Sequence, residues 1–115
     1  MNRTDPKSAH YPIDPARLDL IEEFRRKPKG PHSAELLKVV HRMRWSGEGG
    51  RLGVTPVDPG RVWMLVELPA VRGGPIRRLP DYTFTSLEDA EWAVFKIRWE
   101  AITGCKIPSN LEDRP

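Results

Sequence analysis

The chain reads as a small α+β domain: two N-terminal helices, a three-stranded antiparallel sheet, and a C-terminal amphipathic helix packed on that sheet. Three observations predict this. Apolar residues recur with helical spacing up to about residue 45, alternate in twos from 51 to 82, and return to helical spacing from 85 to 104. Turn chemistry marks the switches, at Pro28-Lys29-Gly30-Pro31, Ser46-Gly47-Glu48-Gly49-Gly50 and Asp58-Pro59-Gly60. A length of 115 residues with 38% hydrophobic content allows one domain with a modest core.

Residues 1–13 are polar and broken by Pro6 and Pro12, so they read as a flexible or extended arm before a domain spanning 14–104. Asp14-Pro15 is a helix start, with Asp14 as N-cap and Pro15 at the first helical position. Leu18, Ile21 and Phe24 form its apolar face, and Arg25, Arg26 and Lys27 suit the C-terminal end of the helix dipole. Ser33 caps a second helix to about Trp45, with Leu36, Val40 and Met43 on one side and Leu37 and Val39 broadening it.

Arg51 to Val57 is a short first strand. At the turn after it, Pro59 presets φ and Gly60 takes a positive φ. Arg61 to Leu68 is the clearest strand, with Val62, Met64, Val66 and Leu68 alternating against Arg61, Trp63, Leu65 and Glu67. Its first set is expected to pack on the last helix, although both faces are largely apolar. Ile76 to Tyr82 is a weaker third strand at an edge, because Pro75 and Pro80 cannot donate to a ladder. Thr85 with Glu88 fits a capping box for the last helix, Gly104 stops it, and Cys105 to Pro115 is a polar tail.

That last helix carries two apolar stripes. Leu87, Ala90, Val94, Ile97 and Ala101 form one; Trp92, Phe95, Trp99 and Ile102 form the other, roughly 150° away around the axis. The first can cover the sheet. The second needs another surface, either the N-terminal helices or a second protein. Large aromatics are the usual anchors of interfaces, so Trp92, Phe95, Trp99 and Ile102, with Trp63 of the middle strand, are the candidate partner-interface residues. A homodimer burying the tryptophan stripes against each other is a further possibility.

Composition excludes several functions. The sequence holds no run of 18 apolar residues to span a membrane, and Asn2 to Lys7 leads into no apolar signal core. Cys105 is the single cysteine, so no intramolecular disulfide forms and a reducing cytoplasm is expected. His10, His32 and His41 share neither a helical face nor a ligand spacing, so no metal or other cofactor is expected on this chain. Cys105 has no neighbouring histidine and follows a helix C-terminus, and reads as inert. Glu88, Asp89 and Glu91 suit a helix N-terminus better than an acid–base pair. Gly47, Gly49, Gly50 and Gly53 miss the dinucleotide fingerprint, with Leu52 where a glycine is required. No catalytic constellation is found. The surplus charge is only +3. Its basic groups, Arg25-Arg26-Lys27-Lys29, Arg42-Arg44 and Arg72-Arg77-Arg78, keep open a small DNA- or RNA-binding module with a ββα core.

The run from Phe84 to Glu100 resembles the late helix of the small subunit of bacterial N,N-dimethylformamidase, whose segment follows F-x-T-E-E-E-A-x-x-A-V-F-x-x-R-x-E. Phe84, Glu88, Ala90, Ala93-Val94-Phe95, Arg98 and Glu100 match it without a gap; Ser86 and Asp89 are near-matches, and Leu87 replaces an acid. Val40-His41 followed by Arg44 is similar to an upstream family helix, so the resemblance covers about residues 31–102. It implies a non-catalytic small subunit that packs on and stabilises a large catalytic chain, in equal numbers. That large chain would carry a mononuclear iron and hydrolyse a formamide to an amine and formate. No catalytic, cofactor or metal residue is then expected on the present chain.

Overall fold

The computed structural model describes residues 13–46, 52–69 and 73–112. Two helices, α1 (Leu18–Arg26) and α2 (Ala34–Ser46), precede strands β1 (Leu52–Asp58), β2 (Val62–Glu67) and β3 (Arg77–Phe84). Helix α3 (Leu87–Thr103) and a short 3₁₀ turn (Ser109–Leu111) follow. The sheet is antiparallel, in the order β1-β2-β3. The α+β architecture is the one the periodicity predicts, with β3 at an edge.

Helix α1 starts later than expected. The Asp14 carboxylate accepts from the Ala16 N–H at 2.9 Å, and the Asp14 carbonyl from the Arg17 N–H at 3.0 Å. These bonds close a separate turn, and Arg17 takes the cap position without a side-chain cap. Asx turns compete with helix capping for the same oxygen. Glu23, near the end of α1, accepts from the backbone N–H of Ser33 (2.6 Å) and from its hydroxyl (2.8 Å). The same hydroxyl accepts from Leu36 N at 3.2 Å, so Ser33 caps α2 and ties it to α1. Leu36, Val39 and Met43 are buried; Leu37 points out and is exposed.

Between β1 and β2, Arg61 N–H donates to Asp58 O (2.8 Å) and Gly60 holds φ +78°, the positive value a side chain resists. The register slips near Val57 in β1, and again in β3, where Pro80, Asp81 and Tyr82 fall between the Thr83–Met64 and Leu79–Leu65 pairs. A bulge there accommodates Pro80, which has no N–H to give.

At α3, Ser86 rather than Thr85 is the cap, its hydroxyl accepting from Asp89 N at 3.0 Å. Gly104 ends the helix in the left-handed region, φ +72°, with its N–H on Glu100 O (2.9 Å).

α3 divides two cores. On one side Trp92, Phe95 and Trp99 pack with Leu20, Ile21 and Phe24 of α1 and Leu36, Val39 and Met43 of α2. Phe24 lies 4.3 Å from Phe95 between ring centroids, and Phe95 lies 5.6 Å from Trp92 and 5.7 Å from Trp99, all stacked. On the other side Ala90, Ala93 and Val94 pack on Leu52 and Leu65, with Val54, Trp63, Leu79, Phe84 and Ile97 around them. The sheet face under α3 is therefore the Trp63–Leu65 face, opposite to the Val62–Met64–Val66–Leu68 face expected. Cross-strand rows explain the choice. Leu65 lies between Val54 and Leu79, and Trp63 between Pro56 and Phe84; Met64 lies between Thr55 and Thr83, and Val66 between Gly53 and Arg78. Only the first pair of rows is apolar right across the sheet.

The segment after α3 is no free tail over its described part. Ile107 is buried in the helical core, and the Glu112 carbonyl accepts from Trp92 Nε1 (2.6 Å) and Lys96 Nζ (2.9 Å). A buried indole N–H needs an acceptor, and the returning chain supplies it.

Candidate functional site

Trp92, Phe95 and Trp99 are buried under the chain's own N-terminal helices, between 1% and 3% exposed. Of the two covers considered for that stripe, the N-terminal helices are the one observed. Rings so enclosed present no surface to a second chain. Ile102 is half-buried at the edge of the same core, and Trp63 is half-buried on the α3 side of the sheet.

Most of the residues that carry the resemblance are built into the packing around α3. Ala90, Ala93, Val94 and Phe95 are buried, Phe84 packs in the sheet core, and Arg98 Nη2 donates to Leu52 O at 3.1 Å, pinning α3 to the start of β1. The pattern marks a helix that must meet a sheet on one side and an aromatic core on the other.

No acid–base pair emerges among the described residues. The carboxylates with displaced pKa values all go down, each beside an arginine. Arg17 hydrogen-bonds Asp19 (3.0 Å) and Glu35 (2.7 Å), lowering both carboxyls, and its own pKa is raised well above the usual arginine value by the same bonds. Glu22 is lowered by hydrogen bonds from Arg26 and, at 2.7 Å, from Arg25. All three carboxylates are solvated, so these pairs are surface struts between and along α1 and α2. None is poised to give up a proton at neutral pH.

A cleft of about 310 Å³ opens between the α1–α2 turn, α2 and α3, bordered by Phe24, Lys29, His32, Val40, His41 and Arg98. His32 is committed to the fold: its Nε2 donates to Lys27 O (2.7 Å) and its ring stacks on Phe24 at 5.3 Å. Among the described residues no three His, Cys, Asp or Glu side chains are placed to hold a metal ion. His10 lies outside the described residues, and Cys105 is exposed.

Several of the cationic side chains are paired locally with carboxylates. Arg25 and Arg26 both pair with Glu22, and Lys29 lies 3.9 Å from Glu88. Arg77 pairs with Glu67 at 3.3 Å, while Arg78, its neighbour on the strand, points to the opposite face. Arg72 lies outside the described residues.

The sequence reading missed a second apolar surface. The face of the sheet turned away from α3 holds a shallow groove of about 330 Å³, with Met64 and Val66 as its floor and Val57, Ile76 and Arg78 at its sides. Val57 is 55% exposed and Ile76 58%. Leu68, 41% exposed, reaches over Gly53, where an added Cβ would meet its Cδ1 at 3.5 Å. The available signal was that both faces of β2 are apolar. One helix covers only one of them.

No described helix is long and apolar enough to cross a membrane. No curated protein and no solved structure matches the chain. The family model of the N,N-dimethylformamidase alpha subunit matches residues 7–106, nearly the full length. That match covers well over half of the sequence, so the chain belongs to the N,N-dimethylformamidase alpha subunit family.

Proposed function

We propose that the chain is the non-catalytic small subunit of a dimethylformamidase-type amidohydrolase. It packs on and stabilises a separate large subunit, in equal numbers. That subunit would carry the iron and catalyse attack of water on a formamide, releasing an amine and formate. The match over residues 7–106 carries the reading, because the family is named for one subunit of such an enzyme. Two features support it. Ala90, Ala93, Val94 and Phe95 of the α3 signature are spent on packing, and Arg98 on its bond to Leu52 O. The sheet also keeps an apolar face that α3 leaves uncovered, with Val57 and Ile76 exposed on it. The lone, exposed thiol of Cys105 suits the reducing bacterial cytoplasm in which this reading places the assembly.

The test is purification of the untagged chain from its host, with mass spectrometry, iron analysis and a formamide-hydrolysis assay. A stoichiometric large chain with iron and activity is expected. A chain that stays at 13.2 kDa without a partner, or that hydrolyses formamides and binds iron alone, overturns the reading.

A further inference from the structure

Resting on the subunit reading, we propose that the outer face of the sheet is the docking surface for the large subunit. Its occupant is an apolar segment that brings a carboxylate to Arg78. The apolar part follows from the groove. Met64 and Val66 form its floor, and Val57 and Ile76 stand more than half exposed at its sides, on the face α3 does not cover; Leu68, 41% exposed, lies nearby over Gly53. Apolar side chains gathered on one face, rather than scattered, mark a surface that another chain completes.

The charge on the occupant follows from the lining. Among the described residues Arg78 is the one charged side chain lining the groove, and none of them brings a carboxylate to it. Burying that guanidinium under a neutral segment would leave it uncompensated, which is costly. A carboxylate on the partner removes the penalty and fixes the register of docking. The same feature argues against a second copy of this chain. A two-fold contact through this face would set Arg78 near its own symmetry mate, like charge against like, with no acid among the described groove residues to separate them. Arg77, next in the strand, is unavailable for this role because it faces the other way and pairs with Glu67.

The test uses the complex of full-length chain and large subunit, purified after co-production. Ile76→Asp and Arg78→Glu each alter an exposed side chain, so circular dichroism and the melting temperature of the free chain should hold. Each is expected to weaken binding of the large subunit at least tenfold. Leu37→Asp, on the exposed side of α2, should leave it unchanged. A photo-reactive residue at position 76, in an otherwise wild-type chain, should cross-link to a large-subunit peptide containing Asp or Glu; this readout does not depend on either variant folding. If the complex forms and both variants bind as wild type, or the cross-link joins two copies of this chain, the docking face is wrong and the subunit reading stands. If no large subunit accompanies the wild-type chain, the subunit reading itself falls, and the docking proposal with it.

Discussion

The two sides of α3 are built from opposite materials. Toward the sheet the helix shows Ala90, Ala93 and Val94; toward α1 and α2 it shows Trp92, Phe95 and Trp99. Small residues let the helix backbone settle close on the pleated surface, where Leu65 and the half-buried ring of Trp63 fill the gap from the strand side. Between helices the filling comes from α3 itself, with Phe24 stacked against Phe95 at 4.3 Å. One core is thus filled by the sheet and the other by the helix. They should fail differently: the aromatic core by losing volume, the sheet core by gaining it.

The largest effect tests the first half of that contrast. Trp99→Ala removes the largest fully buried side chain and should cost about 3–5 kcal/mol of stability in urea unfolding. A loss below about 1 kcal/mol would mean that the helical core collapses around the gap, and that its packing matters less than its geometry suggests. Next, Ala90→Leu adds bulk where no surface is left, and should destabilise by about 1–3 kcal/mol despite being more hydrophobic. A stabilising result would show that the sheet side has room to give. Smaller still, Ser86→Ala deletes the α3 cap bond and should cost about 1 kcal/mol. Because α3 serves both cores, amide exchange should quicken on both sides at once; quickening on one side only would show that they open independently.

The smallest effect is electrostatic and confined to the helical side. Asp19, Glu22 and Glu35 have pKa values lowered in the folded chain by their arginines. A lowered folded pKa means that the contribution is complete above the unfolded carboxylate range and lost as pH falls through the lower folded value. Acidification below about pH 4 should therefore loosen α1 and α2 before the sheet, visible first in tryptophan near-ultraviolet dichroism. High salt should flatten the dependence, most of all for the exposed Arg17 pairs with Asp19 and Glu35. A sheet signal that moves first would reverse the assignment.

Much of this was legible without coordinates. The apolar spacing of α3, its stop at Gly104, the Asp58-Pro59-Gly60 turn, the edge position of β3 and the family signature are local features. Each rests on periodicity or on one residue's backbone chemistry. The helix starts were less secure. Asp14 and Thr85 are good caps by type, but Asp14 closes a turn of its own and the neighbouring Ser86 does the capping in α3.

What the sequence determined alone was the set of elements and the fact that α3 has two faces to bury. What covers each face was a tertiary decision. Trp92, Phe95 and Trp99 suit an interface as well as they suit a core, and only the return of α1 and α2 over them, with Ile107 and Glu112 closing the edge, makes them interior. Likewise β2 is apolar on both sides, so alternation within the strand could not choose between Leu65 and Met64. The neighbours chose. Val54 and Leu79 extend the Leu65 row into a continuous apolar surface, whereas Thr55, Thr83, Gly53 and Arg78 interrupt the other. A side chain's burial depends on the strands beside it, and that register is set only when the chain has folded.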